Sequence, residues 1–182
     1  DGDGATTMRG ISSSHGTFEW ENAGLPQAFI VFNPEKVGVK ALCTAHSGQK
    51  CFVSFAGAQQ NNDWLISPAL LGEEQTLSFY TRAMLSGTAE VYDVMVSSTG
   101  TSIEDFTPIA TDVTIKNIEW AKKSYTLPEG TRHFAIVCKS SNQFGFMLDD
   151  FEFIPEQPAV ELTGYNVYRD GALLVSGLGE TE

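Results

Sequence analysis

The amino-acid sequence predicts an all-β fold, an antiparallel jelly-roll β-sandwich followed by a C-terminal β-hairpin. Apolar and polar residues alternate with a period of two in short segments that are rich in β-branched and aromatic residues. Gly, Pro, Asn or Ser clusters separate these segments, and none has the period of an amphipathic helix of ordinary length. Many short strands with turn signals at this spacing are typical of two packed antiparallel sheets.

Six segments show the alternation most clearly. They are 29–32, 51–55, 77–80, 90–96, 123–127 and 133–138. Between the fourth and the fifth, Ser102 and Asp105 have the spacing of a capping box, which predicts one helical turn. A seventh segment, 144–153, has an apolar strand pattern that two adjacent carboxylates interrupt, and it predicts a closing strand. We expect this closing strand to lie beside the opening strand of the domain.

The predicted domain covers residues 1–154. After it, Pro155 and Pro158 interrupt the strand pattern, so residues 155–182 are interpreted as a linker and part of a second module. The Asp170-Gly171 dipeptide predicts a type I′ turn in a hairpin. Two strands do not make a domain, so this tail is either the beginning of another module or an appendage on the sandwich.

Composition excludes several classes of partner. With 182 residues, of which 42% are hydrophobic, the chain can form one ordinary globular core. The formal net charge of -12 disfavours nucleic acid and anionic membrane surfaces. No run approaches the roughly 20 apolar residues of a membrane helix, so we expect no membrane insertion by this segment.

The first residues and the closing strand both suggest a calcium site. Asp1-Gly2-Asp3-Gly4 brings short carboxylates together on a backbone that turns tightly, and oxygen ligands of this kind suit calcium. Asp149 or Asp150 would complete the site if the closing strand lies beside this loop. The alternative is an ordinary turn and a strand-end carboxylate pair. Because the chain starts inside the Asp-Gly motif, we expect further loop or strand residues upstream.

The three cysteines allow one disulfide. Cys43 and Cys51 flank residues 44–50, which are interpreted as a hairpin turn that would place the two thiols across a strand pair. A disulfide and a reduced, buried pair are both consistent with this spacing. The third cysteine, Cys138, lies in a predicted strand.

No catalytic constellation is apparent in the sequence. Cys43 with His46, or the serines 12–14 with His15, lack a third group that would orient a base. The three histidines do not have the spacing of a zinc site. We therefore predict that the domain is not an enzyme and assign no catalytic residue.

Three tryptophans are candidates for binding a ligand by stacking. Trp64 lies in an apolar strand segment and is predicted to be a core residue. Trp20 is surrounded by polar residues, so we expect its ring to face solvent and to bind ligand. Trp120 is the third possible platform.

Four motifs occur in the order typical of one family. They are Asn62–Pro68, Tyr92–Gly100, Leu127–Gly130 and Phe146–Phe151. With the Asp-Gly repeat in front, residues 1–154 resemble the cleaved adhesin domains of gingipain and haemagglutinin regions and of related choice-of-anchor J surface proteins of bacteria. The tail, with Tyr-Asn-Val-Tyr-Arg-Asp-Gly at 165–171, resembles the middle strands of a fibronectin type III-like module.

The resemblance implies a galactose-binding-like or concanavalin-like jelly roll, secreted or at the cell surface. It further implies adhesion to host surface or matrix proteins, cells or glycans, with calcium as a stabilising ion. By position, Asp1, Asp3 and Asp149 match the acidic loop and the closing strand, and Glu90 is a further candidate ligand. Between residues 10 and 58 the sequence matches the family in few positions. The resemblance therefore does not imply which ligand this chain binds. The alternative function is a carbohydrate-binding module attached to a secreted hydrolase or protease.

Overall fold

The computed structural model describes residues 6–13, 16–57, 59–156, 165–169 and 172–178. The strands are β1 (Ile11–Ser13), β2 (Gly16–Phe18), β3 (Ile30–Phe32), β4 (Cys51–Phe55), β5 (Asp63–Ile66), β6 (Gln75–Ala83), β7 (Glu90–Ser97), β8 (Thr107–Ile115), β9 (Ala121–Leu127), β10 (His133–Cys138), β11 (Gly145–Glu152), β12 (Tyr165–Arg169) and β13 (Ala172–Leu178). One short helix, α1, covers Pro34–Val37, and a 3-10 turn covers Ile103–Asp105.

Two antiparallel sheets form the sandwich. Sheet A has the strand order β5-β10-β7-β8, and sheet B has the order β3-β4-β11-β6-β9. Strands β1 and β2 form a separate hairpin, and so do β12 and β13. The predicted all-β, antiparallel jelly-roll sandwich is thus confirmed.

The main core lies between the inner faces of the two sheets. Phe79 and Leu148 of sheet B meet Tyr92 and Ile136 of sheet A, and all four side chains are fully buried. The Tyr92 ring stacks on Phe146 with 5.1 Å between ring centroids. Burial of these aromatic side chains provides the main free energy that holds the sheets together.

A second apolar cluster covers the outer face of sheet B. We call residues 6–13, 16–27 and 34–50 the cap, because their apolar side chains pack on this face. Val53 and Phe55 of β4 and Met147 of β11 form the sheet side of the cluster, and Val39 and Cys43 belong to the cap side. Strand β4 is therefore buried on both faces, which explains its nearly continuous apolar sequence.

Two expectations about neighbours are wrong. The closing strand β11 pairs with β4 and β6, whereas the opening strands β1 and β2 pair only with each other in the described part of the chain. Residues 44–50 are not a hairpin turn either. Cys51 is paired with Phe32 across β3 and β4, and Cys43 lies in the cap, so the two cysteines do not face each other across a strand pair.

The 3-10 turn and the C-terminal strand pair agree with the sequence analysis, which did not predict α1 or β8. The turn at Ile103–Asp105 has Ser102 as its N-cap, and the Ser102 backbone N–H donates to the Asp105 carboxylate at 3.2 Å. Strands β12 and β13 flank the dipeptide 170–171, which itself lies outside the described residues. No helix in the described part of the chain has the length and apolar character needed to cross a membrane.

The division at residue 154 stays a prediction. Pro155 still forms a β-bridge with Leu70, and the Glu156 N–H donates to the Ala69 carbonyl at 2.7 Å. Residues 155 and 156 therefore remain attached to the sandwich.

Candidate functional site

A groove of about 580 Å³ runs between the cap and β3. We call it the Trp20 groove. Its lining consists of Glu19, Trp20, Glu21, Asn22, Gln27, Ile30, Val31, Phe32, Asn33, Lys36, Val37 and Lys50. The volume falls within the range of clefts that bind ligands in proteins.

Trp20 is anchored in this groove by aromatic contacts. Its ring stacks on Phe55 with 4.2 Å between centroids and meets Phe32 edge-on at 5.8 Å. The Nε1–H donates to Gln27 Oε1 at 3.1 Å. The expectation of a solvent-facing ring is therefore wrong, because one face of the ring is covered and the residue is half-buried. The role of Trp20 in ligand binding stays a prediction.

Local hydrogen bonds fix the backbone around the groove. Gln27 also donates from Nε2 to the Glu21 carbonyl at 3.2 Å, which ties both ends of the 21–27 turn together. Asn22 adopts a left-handed conformation, with φ of 63°, a region in which Asn is better tolerated than most residues. On the other side, Asn33 caps α1 by accepting from the Lys36 N–H at 2.9 Å. The groove is thus formed by two short, well-fixed turns.

The charges of the groove have no partners within it. Glu19 and Glu21 flank Trp20, and Lys36 and Lys50 lie on α1 and just before β4. None of these four side chains takes part in a salt bridge among the described residues. The groove therefore offers uncompensated charges of both signs beside an apolar floor.

Strand β3 forms one edge of sheet B and pairs only with β4 in the described part of the chain. Its central residue, Val31, is 62% exposed. An edge strand can pair with an extended segment of another chain. The groove therefore combines charged side chains with a strand edge.

The adjacent carboxylates Asp149 and Asp150 hold the cap loop in place. Asp149 Oδ2 accepts from the backbone N–H groups of His46 and Ser47 at 2.8 and 3.3 Å. Asp150 lies 2.5 Å from both His46 Nδ1 and Ser47 Oγ. We call these four residues the Asp latch. It explains why two carboxylates interrupt an apolar strand.

The latch is built on a local irregularity of β11. Asp150 has φ of 47°, and the pairing register with β6 shifts between Asp149 and Glu152. Hydrogen bonds from Ser47, and then from His46, lower the pKa of Asp150 below its ordinary value. The His46 ring also stacks on Tyr80, with 3.6 Å between centroids.

Of the four proposed calcium ligands, the structure describes Glu90 and Asp149, and these two do not lie together. Asp1 and Asp3 lie outside the described residues. Glu90 is 1% exposed, and its Oε1 accepts from the N–H groups of Phe144 and Gly145 at 3.2 and 3.0 Å. Since Gly145 and Asp149 are four residues apart on β11, about 13 Å at the strand rise, Glu90 and Asp149 do not share one ion. In the described part of the chain, no three His, Cys, Asp or Glu side chains form a metal-binding group.

The family follows from a comparison with known domains. Residues 35–152 match the family model for the Cleaved Adhesin Domain. This chain belongs to the cleaved adhesin domain family. Gingipain R1 of Porphyromonas gingivalis is 30% identical to it over 76% of the chain and 10% of the relative. Hemagglutinin A of Porphyromonas gingivalis is 28% identical over 93% of the chain and 7% of the relative. The chain thus spans only a small part of these proteins.

Solved structures show the same fold. The K2 cleaved adhesin domain of Lys-gingipain has a TM-score of 0.57 at 24% identity, covering 69% of this chain and 82% of that one. The K1 domain of the same protein has a TM-score of 0.56 at 24% identity, covering 73% and 94%.

The cysteines of this cleaved adhesin domain are buried and reduced. Burial raises the pKa of the Cys43 thiol to about 11 and that of Cys51 to about 12. Burial also raises the pKa of Cys138 to about 11. All three are free thiols, so of the two alternatives for Cys43 and Cys51 the structure has the reduced pair. A thiol with a raised pKa is a poor nucleophile at neutral pH.

Sequence reasoning missed most of this cleaved adhesin domain's groove. It named Trp20 but not Lys36, Lys50 or the edge strand. The only local signal was Asn33-Pro34, a typical helix start that marks where α1 follows β3. Trp64, by contrast, was correctly predicted as a core residue and is 8% exposed.

Proposed function

We propose that this cleaved adhesin domain is a non-catalytic adhesive module, secreted or displayed at the cell surface, that binds host surface or matrix proteins in the Trp20 groove. The observation that carries this proposal is the set of four unpaired charges beside an exposed strand edge. Such a surface suits an extended protein segment, because main-chain hydrogen bonds supply affinity and the flanking charges select side chains.

The charge pattern of the Trp20 groove favours a protein ligand over a sugar that would bind by stacking on an aromatic ring. One face of Trp20 is already covered by Phe55, which leaves less of the ring for stacking on a pyranose. Lys36 and Lys50 attract carboxylates, and Glu19 and Glu21 attract basic side chains. A peptide with an acidic residue, a basic residue and an apolar residue that packs on Val31 would match the groove.

The relatives support an extracellular role in adhesion. Two are named Hemagglutinin A and several are named gingipains. The strongly acidic composition of this chain agrees with a partner other than nucleic acid. The buried thiols support a non-catalytic module, since no activated nucleophile is present among the described cysteines.

Binding to immobilised host matrix proteins tests the proposal. The double variant Lys36→Gln/Lys50→Gln removes two charges from exposed positions without touching the core. We expect it to lose at least tenfold in affinity for the matrix protein that the wild type binds, mainly at low salt. The matched control is Lys116→Gln, an exposed lysine outside the groove. Equal binding by wild type and the double variant would contradict a role for the groove.

Calcium stabilisation remains part of the proposal. Asp1, Asp3 and Asp149 carry the oxygen ligands that calcium prefers, and Glu90 is excluded as a partner of Asp149 by distance. A shared ion would act on stability, since it would offset repulsion between carboxylates.

Carbohydrate binding is the second candidate function. One relative is named Protease PrtH, which agrees with a binding module attached to a secreted enzyme. A separate pocket of about 270 Å³ on sheet A, with Gln60, Asn62 and Met95 in its lining, favours this function.

A further inference from the structure

Strand β3 has no strand of sheet A opposite it in the described part of the chain. Sheet B has five strands and sheet A has four. The edge strand β5 of sheet A lies opposite β4, since Ser54 Oγ donates to Asp63 Oδ2 at 2.7 Å. β3 is the next strand beyond β4. Its inner face is therefore open, which explains why the apolar Val31 is 62% exposed.

The side chains of β3 alternate between two surfaces. Ile30 and Phe32 pack in the cluster under the cap. Val31 is opposite Phe52 in the register of β3 and β4, and directly opposed residues share one face. Because Phe52 packs on the main core, Val31 lies on the inner face. A strand added beside β3 would present its side chains alternately to the inner face and to the Trp20 groove.

The backbone of Val31 points towards the open edge. The Ala56 N–H donates to the Phe144 carbonyl at 3.0 Å, so the even-numbered positions of β4 bond to β11 and the odd-numbered positions bond to β3. Val31 is opposite Phe52, an even-numbered position. Its own N–H and C=O therefore face away from β4. One residue of an added antiparallel strand can exchange two hydrogen bonds with them.

The two lysines of the Trp20 groove lie at one end of β3. Lys36 is on α1, which begins two residues after Phe32. Lys50 directly precedes Cys51, and Cys51 is opposite Phe32 in the register of β3 and β4. A side chain that binds on the groove side at the Phe32 end is therefore close to two positive charges.

A negative charge lies at the other end of β3. The Glu21 carbonyl accepts from Gln27 Nε2 at 3.2 Å, and Gln27 is three residues before Ile30. The Glu21 side chain is exposed and lines the groove. A side chain that binds on the groove side at the Ile30 end therefore meets a carboxylate. The charges of the groove thus give β3 a polarity.

We propose that the protein ligand of the Trp20 groove is an extended segment that pairs antiparallel with β3 and carries an acidic, an apolar and a basic residue in that order. The apolar residue lies opposite Val31 and packs on it. The acidic residue before it lies opposite Phe32, near the lysines, and the basic residue after it lies opposite Ile30, near Glu21. This inference rests on the proposed function and adds the direction and register of the ligand.

The first test compares two synthetic peptides that differ only in the order of their central residues. One contains Thr-Glu-Ile-Lys-Thr and the other Thr-Lys-Ile-Glu-Thr. We expect the first to bind about tenfold more tightly at low salt, because the second brings like charges together. NMR titration measures both affinities, and the first peptide should shift the Val31 amide resonance. Equal affinities, or no binding of either peptide at millimolar concentration, would overturn the inference.

A charge exchange tests the polarity of β3. The triple variant Glu21→Lys/Lys36→Glu/Lys50→Glu changes three exposed side chains. We expect it to prefer the peptide with the basic residue first, whereas a folding defect would weaken both peptides alike. The matched control Lys116→Glu/Glu119→Lys exchanges two exposed charges outside the groove and should keep the wild-type preference. An unchanged preference in the triple variant would contradict the proposed direction.

Two changes to the backbone test the strand pairing. Val31→Pro removes an N–H that faces the open edge, a position where an edge strand tolerates proline. We expect this variant to lose about tenfold in peptide affinity, whereas Val31→Thr, which keeps the N–H, should retain the preference for the first peptide. Methylating the isoleucine nitrogen of that peptide should weaken its binding to the wild type by a similar factor, and this result does not depend on the folding of a variant. Full affinity of the methylated peptide would overturn the pairing.

Failure of this inference can be distinguished from failure of the proposed function. If Lys36→Gln/Lys50→Gln loses matrix-protein binding while the wild type binds both peptides equally, the groove binds protein but not in this register. If the wild type binds no matrix protein yet discriminates between the peptides, the strand pairing is supported and the proposed host ligand is wrong.

Discussion

The two outer faces of the sandwich differ in how they are covered. The outer face of sheet B carries the cap, with a second apolar core beneath it, whereas within the part of the chain that the structure describes the outer face of sheet A carries the small cluster around Trp64 and Phe106. Strand sequences reflect this difference. β4 is apolar at nearly every position, and β9, at the uncapped end of sheet B, alternates between exposed and half-buried residues.

The two outer faces of the sandwich contribute differently to the stability of the fold and to ligand recognition. The cap provides much of the apolar burial on its face and leaves the Trp20 groove where it meets an edge strand. Among the described residues, the outer face of sheet A has a smaller apolar cluster and a smaller pocket beside the ion pairs of Lys139. Substitutions on one face should therefore have consequences that substitutions on the other face do not have.

The largest expected effect comes from the aromatic residues of the two clusters. Phe55 is 1% exposed and lies between Trp20 and Phe32. We expect Phe55→Ala to lower the free energy of unfolding by about 3 to 5 kcal/mol, because the cap cannot collapse into the cavity. Phe106→Ala, on the other face, should cost about 3 kcal/mol or less. Urea denaturation measures both, and equal costs would mean that the two faces are covered equally well.

The next effect concerns the Asp latch. Asp149→Ala leaves two backbone N–H groups of the cap loop without their acceptor, which should cost about 1 to 3 kcal/mol. Hydrogen exchange should increase at His46 and Ser47 in this variant, while amides of β7 and β10 keep their protection. Unchanged exchange at residues 46 and 47 would show that the cap loop is held by its apolar contacts alone.

Calcium should have a smaller effect, confined to the cap face. At 1 mM calcium, a site of roughly 0.1 to 1 mM affinity stabilises the fold by about 0.4 to 1.4 kcal/mol. Thermal unfolding in calcium and in chelator measures this difference. The double variant Asp1→Asn/Asp3→Asn should abolish it. A midpoint that does not respond to calcium would identify the acidic loop as an ordinary turn.

The smallest effect is the opposite pH dependence of the two faces. The lowered pKa of Asp150 means that its latch stabilises the fold above the ordinary carboxyl value of about 3.8 and is lost as pH falls through the lower folded pKa. Hydrogen bonds to Asp112, and then Asp93, raise the pKa of Lys139, so its contribution is present below 10.5 and lost above the folded pKa.

Unfolding midpoints measured from pH 2 to 5 and from pH 10 to 12 should show this contrast. We expect Asp150→Asn to weaken the dependence of the unfolding midpoint on pH between pH 2 and 5 only. Lys139→Gln should weaken that dependence between pH 10 and 12 only. If Asp150→Asn leaves the dependence between pH 2 and 5 unchanged, the latch does not depend on the charge of Asp150.

Strands that are buried on one face could be predicted from their alternation of apolar and polar residues. Strands that are buried on both faces could be predicted from their continuous apolar sequence. β8 was missed because Pro108 stands near its start and two register shifts interrupt its pairing with β7. The apolar residues of β8 consequently lose the period of two. The order of the sheets did not follow from the alternation, since no local signal shows that β4 separates β3 from β11.

The site could be predicted only in part. Asp149 and Asp150 were conspicuous because carboxylates in an apolar strand need a partner, but that partner lies in the loop at residues 46 and 47, more than a hundred positions earlier. The polar surroundings of Trp20 suggested exposure, yet its ring is covered by Phe55, another long-range contact. Local sequence indicates which residues are unusual, whereas the packing of the cap decides what they contact.

The Asp latch also sets an order of events during synthesis and folding. The cap is made first, but the carboxylates that hold it are 103 and 104 residues away from His46. Closing so long a loop is entropically costly until the intervening strands have paired. The apolar underside of the cap therefore remains unprotected until β11, the last strand of sheet B to be made, has joined the sheet. A chain that stops before residue 149 would carry an exposed, aggregation-prone surface.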